Sequence, residues 1–225
     1  MKAALTFALV ALAASALAQN APSREELAIY AGLHEAAAKG DVAEIEKLIA
    51  EGEKPNIQDS KSRTPLHVAA YMKQPAAVRA LLKLGANPNA LEIDRYDIVT
   101  IAAVANDLDM LKVALDGGAS ARNVTSRYDG TALIAAAHLG HVAVMKMLIA
   151  AKAPLNHVNN LGWTALMEAV VLGNGGANHS ATVRALVEAG CDVDIADKQG
   201  ATALQHARRR AYTEMARILE NVGAR

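Results

Sequence analysis

The chain has 225 residues, 52% of them hydrophobic and only 3% aromatic, with 23 basic against 23 acidic side chains and a single cysteine. That length suffices for a substantial core. The charge balance argues against a surface for nucleic acid or an anionic membrane, and one cysteine cannot close an internal disulfide.

Residues 1–18 read as a leader. Lys2 gives a positive start, Ala3 to Leu17 form an apolar run, and Ala16-Leu17-Ala18 is a cleavage signature before Gln19. The run is short for a membrane span, and Cys191 lies far from it, so no cysteine is placed for acylation there. The expectation is a periplasmic chain that starts at Gln19 and makes no membrane insertion after cleavage. Losing Lys2, the one basic residue of the leader, leaves 22 basic against 23 acidic residues.

Residues 19–32 follow as a linker and helical extension. Ser23-Arg24-Glu25-Glu26 is a capping box, which predicts a helix from there to about Lys39, with Leu27 and Tyr30 covering the end of the first repeating unit. A second helix is expected over 41–50, apolar at Ile45, Leu48 and Ile49 and stopped at Gly52. Arg63-Thr64-Pro65-Leu66-His67-Val68-Ala69-Ala70 opens the next pair. Thr64 suits the N-cap, Pro65 the first helical position, and His67 can turn its imidazole back on the cap. Its second helix starts near Pro75 and carries Val78, Leu81 and Leu82 to Gly85.

The next opening reads Asp97-Ile98-Val99-Thr100, where Asp97 still caps and Thr100 replaces the histidine. The following unit ends its second helix at Lys152, where the others place Gly52, Gly85, Gly118 and Gly190. A lysine held there at positive φ costs about 1 kcal/mol relative to glycine. Further on, Asn174 to Asn178 are five extra residues between two helices and read as a flexible surface loop. The last unit puts Gln205, His206, Arg208 and Arg210 near positions that are apolar earlier, which suits a terminal cap.

Leu33, Leu66, Val99, Leu133, Leu166 and Leu204 mark six copies at intervals of 33, 33, 34, 33 and 38 residues. A period of this size signals a solenoid, each unit burying its apolar face against its neighbours. Thr64-Pro65-Leu66-His67-Val68-Ala69-Ala70, with Gly85-Ala86-Asn87-Pro88-Asn89 after it, resembles the ankyrin repeat. The resemblance covers most of the chain after the leader. It implies an all-α fold of helix-turn-helix units with short β-hairpin fingers, six repeats over 33–225, and a last repeat acting as cap.

No Gly-rich phosphate cradle or nucleophile elbow is present. His138 and His141 stand three apart with His157 and His179 elsewhere, but His34 and His67 fill the repeat's structural slot and His141 and His179 open second helices. Neither a metal, a cofactor nor a catalytic residue is expected. Cys191 takes a small-residue position held by Ala86 and Ala119, and the run 208–210 reads as a solvated cap.

The resemblance implies protein binding through the finger tips and the exposed ends of the first helices. Tyr71, Met72, His138 and Leu139 fall at such helix ends, and Arg63, Ile93, Tyr96, Arg127, Tyr128, Leu161 and Trp163 in the fingers. Tyr96, Tyr128 and Trp163 are expected to form one ladder. Tyrosine and tryptophan beside arginine is the composition of an interface hot spot. The partner is another protein, met by a monomer. Two roles are open, accessory to a periplasmic enzyme or inhibitor of a toxin or hydrolase, with an enzyme or metal carrier as the competing class.

Overall fold

The computed structural model describes residues 19–225, so the leader expectation lies outside the described residues. Gln19–Thr125 and Ser126–Arg225 form two compact units. The first holds α1 (Arg24–Ile29), α2 (Gly32–Lys39), α3 (Val42–Ala50), α4 (Pro65–Tyr71), α5 (Pro75–Lys83), α6 (Ile98–Val104) and α7 (Leu108–Asp116). The second holds α8 (Ala132–Leu139), α9 (Val142–Ala150), α10 (Ala165–Val171), α11 (Ala177–Glu188), α12 (Ala203–Arg209) and α13 (Thr213–Glu220). From α2 onward each unit is a stack of three helix pairs. First helices pack on first helices and second on second, as in α2 on α4 and α3 on α5.

The period leucines build the core: Leu33, Leu66, Val99, Leu133, Leu166 and Leu204 are all 2% exposed or less. Small residues beside them, such as Ala69, Ala136 and Ala169, are fully buried and let neighbouring helices approach closely. Apart from α2, which follows Ala31 without a side-chain cap, each first helix is capped as its residue type dictates. Thr131, Thr164 and Thr202 accept the backbone N–H three residues on, and Asp97 Oδ1 accepts that of Thr100 at 2.8 Å. At α4 the histidine closes the box: His67 Nδ1 accepts from Thr64 N at 3.1 Å. Nε2 must then carry the proton, and it lies 3.0 Å from Ala90 O and 3.2 Å from Tyr96 O. Thr100 fills the same slot by donating its hydroxyl to Thr125 Oγ1 at 3.0 Å.

Between helix pairs the chain makes five fingers on one pattern. The residue five before each N-cap, namely Asp59, Glu92, Ser126, Asn159 or Asp197, turns a side-chain oxygen onto the backbone N–H groups two and four residues on. The residue three after it takes positive φ: Ser62, Arg95, Asp129, Gly162 and Gly200. The fingers are thus tight turns in which that side chain works with the backbone, since in four of them the acceptor residue's own N–H also donates to the carbonyl four residues on, and no β-strand forms among the described residues.

Two expectations change. The N-terminal helix is not continuous to Lys39, because it ends at Ile29 and restarts at Gly32. The insert is not a flexible loop. Ala177, Asn178 and His179 lengthen α11 to 12 residues, against nine in α3, α5, α7 and α9, and only 174–176 remain as a turn. That turn is fixed from both sides. Asn174 Oδ1 accepts Gly176 N at 2.9 Å, and the Tyr212 hydroxyl donates to Gly173 O at 3.1 Å. Gly175 sits at φ +72°, where a Cβ would meet the Tyr212 ring at 2.5 Å. Lys152 does take positive φ, 64°, at the position of Gly52, Gly85, Gly118 and Gly190.

Candidate partner-binding surface

In the C-terminal unit the fingers are tied to one another. Asn160 N donates to Tyr128 O at 2.9 Å, and its side-chain amide donates to Arg127 O at 3.1 Å. The first pair fixes register: Tyr128 and Leu161 both stand two residues after their finger's acceptor, while Trp163 stands four after. Tyr128 and Trp163 therefore do not share one rung, which corrects the expected ladder. Tyr128, Leu161 and Trp163 are half-buried, as are His138 and Leu139 at the end of α8, and Arg127 is exposed.

Behind these side chains lies a carboxylate that sequence reasoning missed. Glu168 is 4% exposed. Its Oε1 accepts from Asn159 Nδ2 at 2.9 Å and its Oε2 lies 3.1 Å from His138 Nδ1. His138, expected as a contact residue, is thereby held on a buried partner. The signal was available: Glu168 stands two after the period leucine, where Val68, Ile101 and Ala135 are buried and apolar. The finger acceptor thus divides its side chain, one atom serving the turn and the other serving whatever that helix position presents. In the last repeat Asp197 does the same, its Oδ2 lying 2.7 Å from His206 Nε2.

The N-terminal unit differs. Arg63 is 0% exposed and Tyr96 3%, so neither offers a side chain to a partner in this conformation. Both were expected at the surface. For Arg63 the cause is the segment before α2, which lies on its finger. Arg63 Nε donates to Asp59 Oδ2 at 2.7 Å, Nη1 donates to Asn20 O at 3.0 Å, and Nη2 lies 2.9 Å from Glu26 Oε1. The Tyr30 hydroxyl donates to Asp59 Oδ2 at 2.6 Å, and the side-chain amides of Asn20 and Gln19 donate to Asp94 and to Ile101 O. The Arg63 guanidinium holds the Glu26 carboxyl down to about 2. For Asp59, burial acts to raise the pKa, but the bonds from Tyr30 and Arg63 outweigh it and the net direction is down. Tyr71 and Met72 at the end of α4 are half-buried, and Ile93 is 53% exposed at its finger tip.

Other candidate chemistry is quiet. Burial pushes the Cys191 thiol up to about 11, away from nucleophilic character. Among the described residues no three of His, Cys, Asp and Glu converge as a metal site, and no helix is long and apolar enough to cross a membrane. His141 stands where α9 opens, and His179, the third residue of α11, is spent on its surroundings, with Nδ1 3.1 Å from Asn174 Oδ1 in the turn and Nε2 2.9 Å from His138 O.

Comparison with known proteins gives concordant results. A family model described as ankyrin repeats (3 copies) matches residues 30–92 and 98–197. The putative ankyrin repeat protein YahD of Escherichia coli K12 is 34% identical over 190 residues, covering 84% of this chain and 94% of that protein. A crystal structure of an ankyrin repeat domain from Acinetobacter baumannii superposes with TM-score 0.81 at 41% identity, covering 86% of this chain and 98% of that one. A chain from the structure of the predatory endopeptidase Bd0816 of Bdellovibrio bacteriovorus in complex with immunity protein Bd3460 gives TM-score 0.71 at 25% identity, with 85% and 98% covered.

Proposed function

This chain belongs to the ankyrin-repeat family, and on that premise we propose that it is a periplasmic binding protein that engages one partner protein without chemistry of its own. Residues 1–18 act as the leader, and the exported chain begins at Gln19. The observation that supports binding is the surface of the C-terminal unit. Tyr128, Leu161 and Trp163 stay half-buried on two fingers stitched together by backbone and side-chain bonds, with Leu139 at the end of α8. Large side chains held on a rigid turn lose little entropy on association, which suits them to anchor a partner.

Two roles follow from one surface. The chain acts as an accessory that supports a periplasmic enzyme, or as an inhibitor of a hydrolase. The second role is favoured by the similarity to a chain from an endopeptidase–immunity complex. Fractionation with intact-mass measurement tests export: a periplasmic species starting at Gln19 is expected, and retention of residues 1–18 would overturn the leader. Pull-down from periplasmic extract, repeated with Trp163→Ala, tests binding, and equal capture by both would remove the surface from the argument. The captured enzyme's activity then separates the roles, falling for an inhibitor and holding or rising for an accessory.

A further inference from the structure

The finger cluster of the N-terminal unit carries more polar capacity than the segment lying on it uses. Glu92 is 3% exposed. Its Oε1 is spent on the N–H groups of Asp94 and Tyr96, while Oε2 has no hydrogen-bond partner. The Tyr71 hydroxyl, in the field of Glu92 and Arg63, is likewise buried without one. Arg63 is already engaged by Asp59, Asn20 and Glu26, although its Nη2, 2.9 Å from Glu26 Oε1, makes no hydrogen bond, and no described cation lies at ion-pair distance from Glu92. Burial raises the pKa of Glu92, as expected for a carboxyl lacking a counter-charge. A buried acceptor left unmet is an unfilled ligand position as well as a cost to the fold.

The segment itself is held by contacts that a competitor can reproduce. It has no regular structure before α1, and what it brings to the cluster is the Asn20 amide on Asp94, the Asn20 carbonyl on Arg63 and the Glu26 carboxylate on Arg63 and Lys61. None of these meets Glu92 or Tyr71. A lysine or arginine in place of Asn20 would bring a long charged donor beside Asp94, whose own N–H lies 3.0 Å from Oε1 of the Glu92 carboxylate.

We propose that the surface over the fingers of repeats two and three binds an extended segment of the partner protein that carries a lysine or arginine, and that residues 19–26 are a weaker internal occupant which this segment displaces. The proposal rests on the binding reading above and names the partner's chemistry for one of its surfaces. A partner entering here would free Arg63 from Glu26 and take its place.

The test uses two fluorescein-labelled peptides, one copying residues 19–30 and one the same with Asn20→Lys, titrated by anisotropy into the purified full chain. The double variant Asn20→Ala/Glu26→Gln loosens the internal segment while leaving the repeats intact, which circular dichroism verifies. The loosened variant is expected to bind both peptides at least about tenfold more tightly than the unaltered chain does, and the lysine peptide about tenfold more tightly than the copy. Glu92→Gln, which keeps an oxygen for the two finger amides, is expected to remove the lysine advantage. Should Glu92→Gln not fold, Asp94→Asn reads the same advantage. Equal binding by the loosened and unaltered chains, no binding by either, or a lysine advantage that survives both substitutions would overturn the proposal. Partner capture that remains sensitive to Trp163→Ala in the same preparation would leave the broader reading standing after such a failure.

Discussion

His67 makes the stability of the N-terminal unit depend on pH. The imidazole is 0% exposed, accepts from Thr64 N, and reaches two carbonyls through Nε2. Protonation would force a second N–H onto Nδ1, where a backbone N–H already points, and would bury a charge. Burial accordingly lowers its pKa to about 4, against 6.5 for the free side chain. A histidine depressed in the folded state contributes stability that is complete above the unfolded value and drains away as pH falls toward the folded one. With those two values the loss between pH 7 and pH 5 is about 2 kcal/mol, flattening near pH 4. Urea denaturation at half-unit steps from pH 7.5 to 4.5, with the m-value checked for constancy, measures it. The variant His67→Gln starts from lower stability at pH 7, and it should lose that much less on acidification. If the unaltered chain and His67→Gln show the same slope, His67 is not the titrating group and the tautomer assignment is wrong.

Three other perturbations follow from particular contacts. Lys152→Gly relieves a left-handed lysine, and its denaturation midpoint should rise by the equivalent of about 0.5–1 kcal/mol; an unchanged midpoint would show the turn unstrained. Gly175→Ala pushes a methyl into the Tyr212 ring at positive φ, and it should cost about 2 kcal/mol, part of which Tyr212→Ala recovers in a double-mutant cycle. Additive losses would refute the contact. Trp163→Ala should weaken partner capture by about 2 kcal/mol while leaving thermal unfolding nearly unchanged; unfolding without loss of capture per folded molecule would return the indole to a packing role.

What the sequence made legible is what depends on neighbours along the chain. The period leucines, the threonine and aspartate caps and the left-handed Lys152 are local statements, each checked against copies of itself. Arg63 is buried because the chain that covers it arrives from far upstream: Asn20 and Glu26 reach it across about forty residues, and no periodicity encodes that contact. The insert was misread for a similar reason. Asn174-Gly175-Gly176 has loop composition, but Tyr212, one repeat later, pins it. The finger register, by contrast, was available. Counting back from Thr131 and Thr164 rather than forward from the leucines separates Tyr128 from Trp163.

The shared acceptor at the start of each finger separates two kinds of selection. Asp59, Glu92, Asn159 and Asp197 each give one oxygen to the turn and keep a second atom in hand, and Ser126 shows that the turn closes with a single oxygen alone. The first two residues after that acceptor, which precede the positive-φ position, can therefore vary without touching the side-chain oxygen that closes the turn. Ser60, Ile93, Arg127, Asn160 and Lys198, which occupy one site in the five fingers, have drifted to five different side chains on one unchanged scaffold. A library that randomises this site and the next, with acceptor and cap held constant, should keep most of its members folded while sampling new recognition surfaces.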